Sequence, residues 1–152
     1  MSSHTALVKW QIGTEDFISN KYSRGHNWHF DGGEIVPASA SPHIVPLPYS
    51  VEENVDPEEA FIASLSSCHM LFFLSIAAKK KYQIESYTDN VEGVMGCNEN
   101  GKQAMIRVTL NPDVIFSGSK QPSQQDIEKL HHLAHENCFL ANSVNCDIVV
   151  NC

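Results

Sequence analysis

The chain has 152 residues, of which 42% are hydrophobic and 18% are charged. This composition and length predict one globular domain, residues 1–152. Ten basic and eighteen acidic residues give a net charge of −8. Because nucleic acids and anionic membrane surfaces attract basic patches, the charge argues against both as partners and favours a neutral or apolar substrate.

The cysteine content bears on the compartment. There are five cysteines, an odd number, and no Cys-x-x-Cys motif. A secreted disulfide scaffold would favour an even count in a shorter chain, and the first residues lack the basic and apolar segments of a secretory signal. We therefore expect a cytoplasmic protein, in which a disulfide is more often transient and catalytic than structural.

The first part of the chain is predicted to be β structure, over residues 5–35. Trp28 and Phe30 alternate before Asp31-Gly32-Gly33. Asp-Gly predicts a hairpin, because type I′ turns need positive φ angles. Four prolines then predict an extended loop over residues 36–56.

A long helix is predicted from Pro57 to about Lys81. Asp56 can cap it, proline suits the first helical position, and Glu59 completes a capping box. The stretch 60–78 is apolar almost all round, which predicts burial on every side. A chain of this size can hardly bury such a helix alone, so we expect an obligate homodimer.

A membrane span is the alternative interpretation of this helix. It is disfavoured because polar side chains interrupt the apolar stretch and no flanking topology supports a span. These side chains are Ser64, Ser66, Ser67, Cys68, His69 and Ser75.

Further strands are predicted near 85–96 and 103–110, joined by a turn at 97–101. Strand periodicity divides the second of them into two faces. One face holds Ala104, Ile106, Val108 and Leu110, and the other holds Met105, Arg107 and Thr109.

A second helix is predicted after Ser123, with Asp126 in the capping-box position. Its apolar stripe consists of Ile127, Leu130, Ala134 and Cys138. The final strand alternates Val144, Cys146, Ile148 and Val150. The order β-β-α-β-β-α-β with hairpin pairing predicts an α+β fold.

Cys68 and Cys138 are the most informative residues, since each lies in the apolar part of a predicted helix. Three interpretations are open: ordinary buried cysteines, a structural disulfide, or a redox couple in which one thiolate reacts and the other resolves the oxidised product. The other three cysteines, Cys97, Cys146 and Cys152, have no predicted role.

Two other chemistries compete with the redox couple. His131, His135 and Cys138 share a helix face and are good zinc ligands, but a fourth ligand would have to come from elsewhere. A metal site is therefore disfavoured, and the alternative is that His131 and His132 lie on a solvated helix face. Hydrolysis through Cys68-His69 is disfavoured, because neighbouring helix residues point about 100° apart.

A reactive Cys68 thiolate would need a cation. Cys68 lies about three turns into its helix, too deep for the helix N-terminus to lower its pKa. The only arginines are Arg24 and Arg107, and arginine stays charged when buried. A buried arginine needs a carboxylate, which Glu58 could supply.

Five segments of the chain together match a known family pattern: Tyr22-Ser23-Arg24-Gly25-His26, Trp28-x-Phe30-Asp31-Gly32-Gly33, Val55-Asp56-Pro57-Glu58-Glu59, Ser67-Cys68-His69-Met70 and Ala134-His135-Glu136-Asn137-Cys138 with Ala141-Asn142-Ser143. Over roughly residues 20 to 150 the sequence resembles the OsmC/Ohr family of osmotically inducible and organic-hydroperoxide-resistance proteins. The histidine and methionine after Cys68 make it more similar to the broader OsmC-like branch than to the branch best known for organic hydroperoxide resistance.

The resemblance implies a fold of antiparallel sheets wrapped around two central helices in an intertwined homodimer. It implies a thiol peroxidase of organic hydroperoxides in which Cys68 is peroxidatic, Cys138 resolves, Arg24 stabilises the thiolate and Glu58 orients the arginine. No bound cofactor is implied. The implied reductant is an external dithiol, which in that family can be a lipoylated protein.

An apolar lining from Phe61, Leu65, Leu71 and Phe72 would suit a fatty or aromatic hydroperoxide, and the alternative is that these side chains form the dimer core. The alternative function left open is a dimer that binds a lipophilic ligand and uses its thiols only for packing.

Overall fold

The computed structural model describes residues 1–152 and has an α+β fold, as the sequence predicts. The chain divides into two compact units, Met1–Ala60 and Phe61–Cys152. Whether they form one domain stays a prediction. The elements are β1 Ala6–Lys9, β2 His26–Phe30, β3 Ile35–Ala38, α1 Pro57–Lys79, β4 Gln83–Asp89, β5 Glu92–Cys97, β6 Gln103–Leu110, β7 Pro112–Ser117, α2 Gln124–Asn137, a 3₁₀ turn Ala141–Ser143 and β8 Asp147–Val150.

In the first unit, β1, β2 and β3 form an antiparallel sheet in that order. The hairpin between β2 and β3 is confirmed, with Trp28 opposite Val36. Its turn is not type I′, however. Within this turn only Gly33 has a positive φ, 94°, and its N–H donates to Phe30 O at 3.0 Å. The loop is therefore longer than two residues and needs a single left-handed position.

The first residues of the predicted proline-rich loop belong to a strand. β3 runs to Ala38 through Pro37, so the strand extends into the expected loop. Ser39 is fully buried, and its N–H donates to Val55 O at 3.0 Å. Its hydroxyl accepts from Val51 N at 2.9 Å. Buried polar groups need such partners, and these two bonds fix the returning chain beside β3.

Helix α1 begins where the sequence predicts, because Asp56 caps it. Asp56 Oδ1 accepts from Glu59 N at 2.8 Å, and Glu59 Oε2 accepts from Asp56 N at 3.3 Å. This reciprocal pair is the predicted capping box. The helix ends at Lys79, where Lys81 adopts a left-handed φ of 65° and Tyr82 N donates to Ala77 O at 3.0 Å.

Burial of α1 on every side is wrong for the single chain. Its buried residues form one stripe at four-residue intervals, and Leu71 on another side is 60% exposed. The stripe consists of Leu65, His69, Phe73 and Ala77. By length and composition α1 could also cross a membrane, a test that core helices of soluble proteins pass as well. The homodimer stays a prediction.

The sheets of the second unit differ from the predicted hairpin pairing. The strand expected over 85–96 is two strands, β4 and β5, and β7 follows β6 without having been predicted. β4 pairs with β7, while β5, β6 and β8 form a second sheet in which β8 runs parallel to β6. The chain reaches β8 through α2, and a crossover of this kind allows parallel pairing.

The predicted alternation along β6 fails at Ile106. A bulge lies between Val94 and Met95 of β5, which pair with Arg107 and Met105, so that Ile106 has no partner. A bulge shifts the faces of a strand by one residue. Met105 accordingly packs against the core, while Ile106 is 39% exposed.

Helix α2 begins after Ser123 with the predicted capping box. Two buried clusters form the core of this unit. The first joins the two helices through Phe73 and Ala77 of α1 and Leu130 and Ala134 of α2. The second consists of Leu65, Val108 and Leu110, and the predicted final-strand face packs against it through Val144, Cys146, Ile148 and Val150.

Candidate functional site: a thiol pair at an apolar cavity

The packing of α1 on α2 brings the two predicted thiols together. Cys68 lies in the middle of α1, and Cys138 is the residue that caps the C-terminus of α2. The Cys68 side chain lies close enough to Cys138 to raise the pKa of its thiol, and both are free thiols. Of the three interpretations, a preformed structural disulfide therefore does not describe this state.

The two thiols have different surroundings. Cys138 is only 1% exposed. Burial, and then the neighbouring Cys68, raises the pKa of the Cys138 thiol to about 11. The N–H of Ala141 donates to Cys138 Sγ at 3.4 Å and partly offsets this rise in pKa. Cys138 is therefore a protonated thiol at neutral pH. Cys68 is half-buried and reaches solvent.

Cys68 opens on a cavity of about 490 Å³. Its walls are apolar, with serine hydroxyls around them: the lining is Ser64, Ser67, Cys68, Leu71, Phe72, Ser75, Phe139 and Leu140. An apolar concave site with few polar groups suits a small lipophilic molecule. Cys138, which is buried, is not among the residues that line the cavity.

The predicted cavity lining is half right. Leu71 and Phe72 line the cavity, whereas Phe61 and Leu65 pack in the second core cluster. Sequence reasoning missed Phe139, whose ring contacts that of Phe72 edge-on at a centroid distance of 5.0 Å. Its position directly after Cys138 was the available signal.

Arg24 and Glu58 are not paired. The guanidinium of Arg24 donates to Asn20 Oδ1 at 2.6 Å and lies 3.7 Å over the ring of Tyr22. Glu58 is half-buried in the first turn of α1. Both belong to residues 1–60, whereas the thiols belong to residues 61–152. The catalytic roles assigned to Arg24 and Glu58 stay predictions.

A buried histidine pair was not predicted. His131 is 2% exposed, and its Nδ1 lies 3.0 Å from Nε2 of His69, with the two rings stacked at 5.3 Å and 8°. The solvated face expected for His131 is therefore wrong, although His132 is exposed and pairs with Glu136. The signal was the spacing of His69, four residues from both Leu65 and Phe73 on the buried stripe of α1.

Both imidazoles are neutral at pH 7. Burial lowers the pKa of His131 to about 4. Burial, and then the neighbouring His131 and His135, lowers the pKa of His69 to about 4 as well. The side chains form no group of three or more histidine, cysteine or carboxylate residues that could hold a metal ion. His131 faces His69 rather than joining His135 and Cys138 around a metal.

Comparison with known proteins identifies the family. The family model for OsmC-like proteins matches residues 51–152. An OsmC-like protein of unknown function from Vibrio cholerae is 59% identical, with a TM-score of 0.98 and 99% of each chain covered. The chain therefore belongs to the OsmC-like family. The search of curated proteins gives no match.

More distant solved structures share the fold. The organic hydroperoxide resistance protein of Elizabethkingia anophelis is 17% identical, with a TM-score of 0.71 and coverage of 99% of this chain and 93% of that chain. The organic hydroperoxide resistance protein of Bacillus subtilis is 18% identical, with a TM-score of 0.64 and coverage of 97% and 96%. At these identities the likeness concerns the fold alone.

Proposed function

We propose that the protein is a thiol-dependent peroxidase that reduces organic hydroperoxides, and hydrogen peroxide less well. The observation that carries this proposal is the contact between an accessible thiol, Cys68, and a buried thiol, Cys138, at the wall of an apolar cavity. The names of the Elizabethkingia and Bacillus structures give the proposal further support.

The chemistry follows from the different surroundings of the two thiols. The Cys68 thiolate attacks the distal oxygen of ROOH, the O–O bond breaks, and the alkoxide takes a proton and leaves as ROH. Cys68 is then a sulfenic acid. The Cys138 sulfur attacks the Cys68 sulfur, its proton leaves with the hydroxyl group as water, and a disulfide forms. An external dithiol, such as a lipoylated protein, reduces this disulfide by exchange.

Arg24 and Glu58 complete the proposed site. Arg24 would stabilise the Cys68 thiolate by its positive charge, and Glu58 would orient the guanidinium. No bound cofactor is needed for this chemistry. The proposal includes a cytoplasmic homodimer, supported by the apolar side chains that α1 and the cavity leave exposed, among them Leu71 and Phe139 at 60% and 73%.

Intact-mass spectrometry tests the thiol couple. The reduced protein is treated with one equivalent of cumene hydroperoxide and its disulfides are mapped. We expect the loss of two hydrogens and a Cys68–Cys138 link. Cys68→Ser should abolish turnover, while Cys138→Ser should allow one oxidation and block recycling. Cys97→Ser, at an exposed thiol, is the matched control and should behave as the wild type.

A non-catalytic dimer that binds a lipophilic ligand is the second candidate, because the cavity walls are apolar. It predicts an apolar ligand that co-purifies or titrates in native mass spectrometry, together with thiols that give no defined disulfide. Oxidation scattered over Cys97, Cys146 and Cys152 would favour this function over the peroxidase.

A further inference from the structure

The two helices that carry the thiols are joined by a buried hydrogen bond. His69, the residue after Cys68, belongs to α1, and His131 lies on α2 about two turns before Cys138. Their ring nitrogens, Nε2 and Nδ1, are 3.0 Å apart. The bond therefore connects the segment that holds one thiol to the segment that holds the other.

The surroundings of the pair limit its freedom. The ring of Phe73 lies 4.3 Å from that of His131, and both histidines are at most 2% exposed. His69 Nδ1 is buried without a partner. If His69 Nε2–H donates to His131 Nδ1, that unpartnered atom is a bare acceptor rather than an N–H, which makes this the more favourable tautomer. Losing the bond would leave two buried polar atoms unpaired.

We propose that His69 and His131 are positioning residues that hold α1 and α2 so that Cys68 and Cys138 stay within reach of disulfide closure. Disulfides require a narrow range of backbone separation, commonly about 4.4–6.8 Å between Cα atoms. A hydrogen bond one residue from Cys68 limits relative sliding of the helices at that point. Without it the reduced thiols sample more separations, and closure becomes less favourable. The inference rests on the proposed function insofar as it assigns Cys68 and Cys138 as partners.

The test measures the thiol–disulfide equilibrium, which needs no peroxide. The full-length protein is equilibrated in glutathione buffers of varied ratio, where two protein thiols and one oxidised glutathione exchange for one protein disulfide and two reduced glutathiones. The fraction of Cys68–Cys138 disulfide is read by differential alkylation and peptide mass spectrometry, which separates it from the other three cysteines.

Four variants distinguish the possible roles of the His69–His131 hydrogen bond. His131→Leu removes the bond, whereas His131→Asn places an amide oxygen near the position of Nδ1 and can still accept from His69. His69→Leu with His131→Leu removes both polar groups, so that nothing buried is left unpaired. His132→Asn, at the exposed neighbouring histidine, is the matched control.

We expect the equilibrium constant for the disulfide to fall about tenfold in His131→Leu and in the double variant, which is a rise of about 30 mV in reduction potential. His131→Asn should recover most of the loss, and His132→Asn should match the wild type. Equal constants in all variants, or equal losses in His131→Asn and His131→Leu, would overturn the positioning role alone. A wild type that forms no Cys68–Cys138 disulfide would overturn both this inference and the proposed thiol mechanism. If the equilibrium constant falls in the variants as expected but the wild type does not turn over peroxide, only the proposed peroxidase function would be overturned.

Discussion

The buried histidine pair makes the folded state sensitive to mild acid. Burial lowers the pKa of each imidazole from 6.5 to about 4. Between these values the unfolded chain binds protons that the native state does not, so stability present above pH 6.5 is lost as the pH falls towards 4. Lowering the pH from 7 to 5 costs about 2 kcal/mol of unfolding free energy for one imidazole, and up to about 4 kcal/mol for both.

Neighbouring ionisable groups influence the pH range over which the histidine pair takes up protons. His135 on α2 opposes protonation of His69, while Asp89 at the end of β4 favours it. Burial also raises the pKa of Tyr87 on β4, so its phenol stays neutral at these pH values.

Denaturant unfolding at pH 7 and pH 5, at one protein concentration, measures this loss. The double variant His69→Leu/His131→Leu should keep most of the stability at pH 7 and lose about 2–4 kcal/mol less than the wild type on going to pH 5. His132→Asn should retain the pH dependence of the wild type. If the wild type and the double variant lose equal stability between the two pH values, the buried pair is not the source of the acid sensitivity.

Three further changes test the core, the cavity and a helix terminus. Phe73→Ala should lower the free energy of unfolding by about 3–5 kcal/mol, since Phe73 is fully buried; a loss under 1 kcal/mol in denaturant unfolding would contradict its central place. Phe139→Ala removes one wall of the cavity, so KM for cumene hydroperoxide should rise several-fold while the rate with hydrogen peroxide is unchanged. Ser123→Ala removes the cap of α2 and should cost about 1 kcal/mol of unfolding free energy. Ser119→Ala, at an exposed serine outside the helices and strands, is the control and should leave the melting curve unchanged.

Local signals in the sequence predicted local features of the fold. Both capping boxes formed as expected, because each depends on two side chains three residues apart. The bulge opposite Ile106 and the parallel pairing of β8 depend instead on contacts between distant segments. The alternation of apolar and polar side chains along one strand does not reveal a β-bulge in its pairing with another strand.

At the candidate site too, local features could be predicted from the sequence, whereas features set by contacts between distant segments could not. Cys68 and Cys138 could be singled out from the chemistry of thiols and from the family resemblance, and the structure brings them together. The orientation of His131 could not be predicted from α2 alone. It is set by Phe73 and His69 of α1, whose packing decides which side of α2 is buried.

One helix interface carries both the stability of the second unit and the proposed chemistry. Along it lie the thiol pair, then the histidine pair, then the apolar contacts of Phe73 and Ala77 with α2. A substitution in the apolar part can therefore change the separation of the thiols as well as the free energy of unfolding. Loss of turnover in a core variant does not by itself identify a catalytic residue. The informative comparisons are those in which the redox equilibrium changes while the unfolding free energy at pH 7 does not, and the double histidine variant is designed to separate these two quantities.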